Sequence, residues 1–154
     1  MISANTITRA SIERPASCGR RCDASVAIAS GVEYQAWTFG DSVPGPVIHV
    51  RQGQTINVTF TNKGTMQHSL DFHSAITPPN RHYAELKPGE KMTYSFVAKV
   101  PCAFLYHCGT PPVLRHIGNG MSGAITCDPA PPLPAPAESY VLVQGEWYTQ
   151  QVSG

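Results

Sequence analysis

The chain is written in short alternations of apolar and polar residues separated by turn formers. Thr55–Thr61 sets Ile56, Val58 and Phe60 against threonine and asparagine, and Lys91–Ala98 sets Met92, Tyr94, Phe96 and Ala98 against lysine, threonine, serine and valine. A period of two sends alternate side chains to opposite faces of a strand, so each segment offers one face to a core. The same reading predicts strands at Ser25–Ala29, Glu33–Phe39, Val47–Arg51, His68–Phe72, Ala103–His107 and Gly123–Cys127. No 11-residue window shows a helical period. The separators include Gly40-Asp41, Pro44-Gly45-Pro46, Gln52-Gly53-Gln54 and Lys87-Pro88-Gly89-Glu90. They supply the fixed or positive φ that tight turns require. Eight strands at this spacing predict an all-β Greek-key sandwich.

The pattern also divides the chain. Residues 1–23 read as an N-terminal tail, 24–128 as the sandwich domain, 129–138 as a linker and 139–154 as a C-terminal strand or extension. Pro129 to Pro136 runs Pro-Ala-Pro-Pro-Leu-Pro-Ala-Pro, which favours an extended, semi-rigid connector. Beyond it, Ser139–Val143 and Trp147–Tyr148 read as a strand with aromatic side chains to bury. Such a strand is expected to dock on a neighbouring chain or to open a further domain of a longer parent protein.

Composition narrows the function classes. With 154 residues, 42% hydrophobic and 14% charged, the chain can bury a core and is not of the disordered class. The net charge is +1, and the nearest approach to a basic block is Arg20-Arg21, so nucleic acid is not an expected partner. No apolar run reaches the ~18 residues of a membrane span. Met1 to Ala10 lacks the basic-then-apolar pattern of a secretory signal, so the targeting end does not identify a compartment.

The five cysteines are Cys18, Cys22, Cys102, Cys108 and Cys127, an odd number that leaves at least one thiol outside any disulfide set. Cys18 and Cys22 flank Gly-Arg-Arg and suit either a small disulfide loop or an exposed reducible pair. Zinc is a third reading, weakened because no second cysteine pair at zinc spacing follows.

Four of the six histidines fall in two short segments, Gln67-His68-Ser69-Leu70-Asp71-Phe72-His73 and Tyr106-His107-Cys108 through Arg115-His116 to Met121. Two imidazoles, one thiolate and a weak axial thioether make the donor set of a blue copper site. A lone buried cysteine is ordinarily an inert small hydrophobe and a lone core histidine is ordinarily just hydrogen-bonded; here the full donor set recurs within two segments. Adjacent strand residues diverge, so His107 and Cys108 face opposite ways, and His68 and His73 do too if their strand continues. One face therefore gathers His68 and Cys108, completed by His116 and Met121. The other gathers Asp71, His73 and His107, where Asp71 can donate a proton or orient water. His49 and His82 read as ordinary surface or strand residues.

These segments resemble the N-terminal cupredoxin domain of copper-containing nitrite reductases and of the related two-domain, laccase-like multicopper oxidases. The resemblance covers about Val32 to Asp128 and rests on Trp37-Thr38-Phe39, Val43-Pro44-Gly45-Pro46-Val47, His68 to His73, Lys87-Pro88-Gly89-Glu90, Phe104-Leu105-Tyr106-His107-Cys108 and Gly120-Met121-Ser122-Gly123-Ala124. Gly109-Thr110-Pro111-Pro112-Val113-Leu114 leans toward the laccase-like branch, whereas Gly109 directly after Cys108 departs from three-domain oxidases, which commonly carry histidine on both sides. The resemblance implies type 1 copper on His68, Cys108, His116 and Met121, two type 2 copper ligands in His73 and His107, and a catalytic aspartate in Asp71. It also implies a redox partner protein as electron donor, transfer through Cys108–His107, and reduction of nitrite with help from Asp71, or of oxygen at a trinuclear cluster. The remaining histidines are expected from a second cupredoxin domain, usually on the neighbouring subunit of a trimer. A periplasmic or extracellular home follows from the resemblance alone. The alternatives are a non-catalytic electron carrier holding only type 1 copper, and an oligomerising domain that keeps a metal for stability.

Overall fold

The computed structural model describes residues 10–11, 16–17, 23–76, 84–134 and 138–149. Its strands are β1 (Ala10–Ser11), β2 (Ala16–Ser17), β3 (Asp23–Ala29), β4 (Val32–Trp37), β5 (Gly45–Arg51), β6 (Thr55–Thr61), β7 (Asp71–Phe72), β8 (Lys91–Val97), β9 (Cys102–His107) and β10 (Ser122–Asp128). A 3-10 turn spans His73–Ala75, and a short helix, α1, spans Val113–Gly118.

One sheet has the order β5-β10-β9-β7. In the other, β6 pairs antiparallel with β8, while β1 and β2 pair parallel with β6, Ala10 opposite Ile56 and Ala16 opposite Phe60. β3 and β4 form a separate hairpin whose turn places Gly31 at φ 73°, a left-handed conformation that glycine adopts without a Cβ penalty. The core lies between the two larger sheets. Ile56, Val58, Phe60 and Phe96 bury from one side, and Phe72, Tyr106, Ile125 and Cys127 from the other. Phe72 links them directly, with ring centroids 5.5 Å from Phe96 and 5.2 Å from Tyr106.

Two glycines let Tyr106 lie flat on its own sheet. Gly45 and Gly123 are paired in register across β5 and β10, and a Cβ at either would stand 2.5 Å or 2.3 Å from the phenol of Tyr106. The ring fills that space and its hydroxyl donates to the Pro46 carbonyl at 2.7 Å. The residue next to Tyr106, His107, is opposite Ser122. Register therefore pins both ends of the 108–121 connection, which carries Cys108, His116 and Met121.

The predicted ladder survives with small changes at its ends, and Thr55–Thr61 keeps its limits. Three expectations are corrected. His68–Phe72 is not one strand: only Asp71–Phe72 joins the ladder, and His68 makes an isolated bridge to Leu86. Ser69 explains the break, because its N–H is donated to the Cys108 sulfur and not to a neighbouring strand. No strand forms at Ser139–Val143 or Trp147–Tyr148; residues 138–149 run irregularly, with Tyr140 and Leu142 exposed. Two aromatic side chains there do find partners, the Trp147 ring lying tilted 4.7 Å from that of Tyr34 and Tyr148 lying over Gly118. Finally, α1 is a helix of six residues, too short to produce a period in sequence. The N-terminal segment read as a tail contributes two short pieces of strand to β6. Cys18, Cys22 and His82 lie outside the described residues.

Candidate metal centre

β9 ends at His107 and Cys108 follows it directly, so the two side chains leave the end of the strand for opposite environments. On the core side, Cys108 is wholly buried and meets His68 and His116, both almost wholly buried. The His68 and His116 Nδ1 atoms are 3.2 Å apart, and the Cys108 sulfur stands 3.9 Å and 3.3 Å from them. Bonds of about 2.0–2.3 Å from nitrogen and sulfur to a first-row ion would set three trigonal donors roughly 3.5–3.7 Å apart. The observed triangle fits such an ion. Met121 is fully buried beside it, its N–H donating to the His116 carbonyl at 3.1 Å and its carbonyl accepting from the Cys108 N–H at 3.1 Å.

Burial suits the imidazoles to ligation. Desolvation first, and His116 second, lower His68 from its ordinary 6.5 to about 4, so its ring is neutral at pH 7. Burial and then Arg115 also lower His116, with Glu85 opposing. A neutral imidazole offers the lone pair that a metal needs. The sulfur is oriented by two further contacts: Ser69 N–H donates to it at 3.4 Å, and the Ser69 hydroxyl lies 3.9 Å away while accepting from Gly109 N–H at 2.9 Å.

The opposite face of β9 carries a second group. Asp71 is directly across from His107 in the β7–β9 register, and the 3-10 turn after β7 swings His73 back over them. The donor atoms of Asp71, His73 and His107 all lie within 4.8 Å of one another. His107 Nδ1 donates to the Cys108 carbonyl at 2.9 Å, which fixes the tautomer and leaves Nε2 free to accept or ligate. That Nε2 is 2.9 Å from His73 Nε2. His73 is exposed and the other two are half-buried, so this group opens to the surface.

The predicted residues thus meet as two sets, although by a different route from the one expected. His73 diverges from His68 because the chain leaves the strand and turns, not because a strand continues to it. His49 sits on the surface, paired with Asp128 at 2.7 Å. Sequence reasoning missed Trp37, whose ring packs 4.9 Å from that of His116 and 5.8 Å from that of His68, with the Arg115 guanidinium 5.4 Å from its centroid. It also missed Ser69. Neither carries a local signal, since both act across the fold.

The chain is 40% identical over 133 residues to the copper-containing nitrite reductase of Neisseria meningitidis serogroup B, covering 84% of this chain and 34% of that protein. It superposes on a copper nitrite reductase from Nitrosomonas europaea with a TM-score of 0.64 at 39% identity, over 71% of this chain and 41% of that one. A blue copper oxidase from Nitrosomonas europaea gives 0.66 at 28% identity, over 73% and 38%. The chain spans about a third of the length of the curated relatives it matches. These likenesses identify the sandwich as a cupredoxin fold and support a copper redox function. Among the described residues no helix is long and apolar enough to cross a membrane. With residues 22–132 matching the family described as multicopper oxidase, the chain belongs to the multicopper oxidase family.

Proposed function

We propose that the chain is the electron-receiving domain of a copper oxidoreductase of the nitrite reductase type. On this reading His68, Cys108, His116 and Met121 hold a type 1 copper, while His73 and His107 hold part of a type 2 copper. The observation that carries it is the adjacency of His107 and Cys108, one residue in each donor group, with the His107 ring also hydrogen-bonded to the Cys108 carbonyl at 2.9 Å. Copper, when bound, supplies a one-electron couple at the buried group and a Lewis acid at the open one.

The residues of the chain do the rest. The buried donors form a dry, packed cage that holds one geometry in both oxidation states, so little reorganises when an electron passes. The Cys108–His107 backbone gives the electron a short covalent route to the other face. Asp71, half-buried beside His73 and His107, delivers a proton to nitrite; two protons and one electron convert nitrite to nitric oxide and water. The two imidazoles found among the described residues leave the open group short of ligands, so a second cupredoxin domain or another copy of the chain, as in a homotrimer, completes it. A redox partner protein supplies electrons in a periplasmic or extracellular setting. The division into a 24–128 domain, a 129–138 linker and a 139–154 extension belongs to the same proposal.

One observation favours a second reading. Because His73 is exposed and the open group has two imidazoles among the described residues, the chain would act alone as an electron carrier with type 1 copper. Electron paramagnetic resonance of the oxidised, copper-loaded protein, with copper counted per chain, separates the two. Two coppers of distinct hyperfine pattern support the enzyme; one copper with the narrow pattern of a thiolate site supports the carrier.

A further inference from the structure

β9 and β10 carry a second pair of cysteines at the end of their ladder remote from His107. Cys102, the first residue of β9, stands directly opposite Cys127. Along the same face, Phe104 is opposite Ile125 and Tyr106 is opposite Gly123, and Tyr106 and Ile125 are buried in the core. Alternation therefore points Cys102 and Cys127 to the same side of the sheet. Both are thiols in this structure. Cys127 is buried, its Sγ–H donating to the Asp128 carbonyl at 3.8 Å, whereas Cys102 is exposed. With Pro101, Pro129 and Leu133 they line an open cleft of about 420 Å³.

Directly opposed residues of antiparallel strands hold their Cβ atoms about 4.5–5.5 Å apart, and a disulfide needs about 3.5–4.5 Å. The closure required is roughly 1 Å or less by those figures. It falls on the last pair of the β9–β10 ladder, where Cys102 begins its strand and the chain beyond it is not tied to β10.

We infer that Cys102 and Cys127 form a thiol pair that closes to a cross-strand disulfide, with a small-molecule disulfide as oxidant. The exposed Cys102, as thiolate, attacks one sulfur of the oxidant, forming a mixed disulfide and releasing one thiol. Cys127 gives up its proton, attacks the Cys102 sulfur and releases the second thiol. Two protein thiols are oxidised and one disulfide is reduced to two thiols. The bond brackets residues 103–126, which include His107, Cys108, His116 and Met121. It would tie both ends of the donor-bearing segment and restrict the unfolded chain. This inference stands apart from the metal assignments.

The test incubates the full chain, as purified, with oxidised glutathione, alkylates remaining thiols under acid denaturation, and maps the products by mass spectrometry. Cleavage after Tyr106 and Arg115 separates Cys108 from both Cys102 and Cys127. The expected product is a linked pair of fragments containing Cys102 and Cys127, lighter by two hydrogens than the reduced pair. Oxidised protein should melt several degrees above protein reduced with dithiothreitol, and Cys102→Ser, a change at an exposed site, should remove that difference. The inference is overturned if Cys102 and Cys127 are both alkylated, if Cys102 ends as a glutathione adduct with Cys127 reduced, or if either is joined to Cys18, Cys22 or Cys108.

Discussion

The two faces of β9 make unlike sites from like residues. Behind the sheet, Cys108, His68 and His116 stand in a triangle of 3.2–3.9 Å, sealed from water and backed by the Trp37 ring. In front, Asp71, His73 and His107 share a group open to solvent, with two imidazoles among the described residues. A centre that only exchanges electrons gains from rigid enclosure, because every atom that would move adds to its barrier. A centre that binds and protonates a substrate needs vacant positions and a proton donor at hand. The contrast in burial thus matches a contrast in proposed chemistry, and one peptide unit separates them.

The strongest way to break that contrast is to remove the sulfur. Cys108→Ser substitutes a hydroxyl that cannot supply the thiolate charge transfer, so the intense visible band should vanish from copper-loaded protein, as read by absorption spectroscopy. A surviving intense band would refute the assignment of Cys108. Next in size is His107→Ala, which strips one imidazole from the open group and leaves the buried triangle in place. Copper counted in the assembled protein should fall by the open-site class alone, with the visible band unchanged. Equal copper content in variant and parent would mean that His107 is no ligand.

Acid should weaken the buried group of the copper-free protein by degrees. Above about pH 6.5 the His68 ring is neutral in both folded and unfolded chains and makes no pH-dependent contribution. Between 6.5 and about 4 the unfolded chain takes up a proton that burial denies the folded one, so stability falls as pH falls. Below about 4 both states are protonated and the loss from this ring is complete. His116, also lowered, contributes in the same direction. The melting temperature of metal-free protein should drop from pH 7 to pH 4, with a shallower slope in His68→Gln. Parallel slopes would show that some other group dominates.

Much of this was legible in the sequence because alternation is local information. Thr55–Thr61 identified its strand and core face without reference to any other residue, and the adjacency of His107 and Cys108 already separated the two donor groups. The failures share a different cause. The His68–Phe72 strand broke because Ser69 donates its N–H to a sulfur 39 positions away. Trp37 covers His116 through contacts between distant segments, and the six residues of α1 are fewer than two full turns, so no period could mark it. The C-terminal segment had strand composition but met the Tyr34 ring and Gly118 in place of a strand edge. Pattern states which face a side chain takes; what it meets there is settled by the fold.

The smallest effect is expected at Ser69, and it distinguishes two ways of holding the buried sulfur. The backbone N–H reaches the sulfur at 3.4 Å, while the hydroxyl is more distant at 3.9 Å and accepts the Gly109 N–H at 2.9 Å. Ser69→Ala keeps the N–H and removes only the hydroxyl. Losing the acceptor of this part-buried hydrogen bond costs about 1–2 kcal/mol, which for a chain of this size lowers Tm by roughly 2–8 °C. The visible band of the copper-loaded variant should keep its position, because the donor aimed at the sulfur is the amide. A marked band shift at unchanged Tm would instead make the hydroxyl the group that tunes the thiolate, and would place the polar control of the buried site in a side chain that a single substitution can alter.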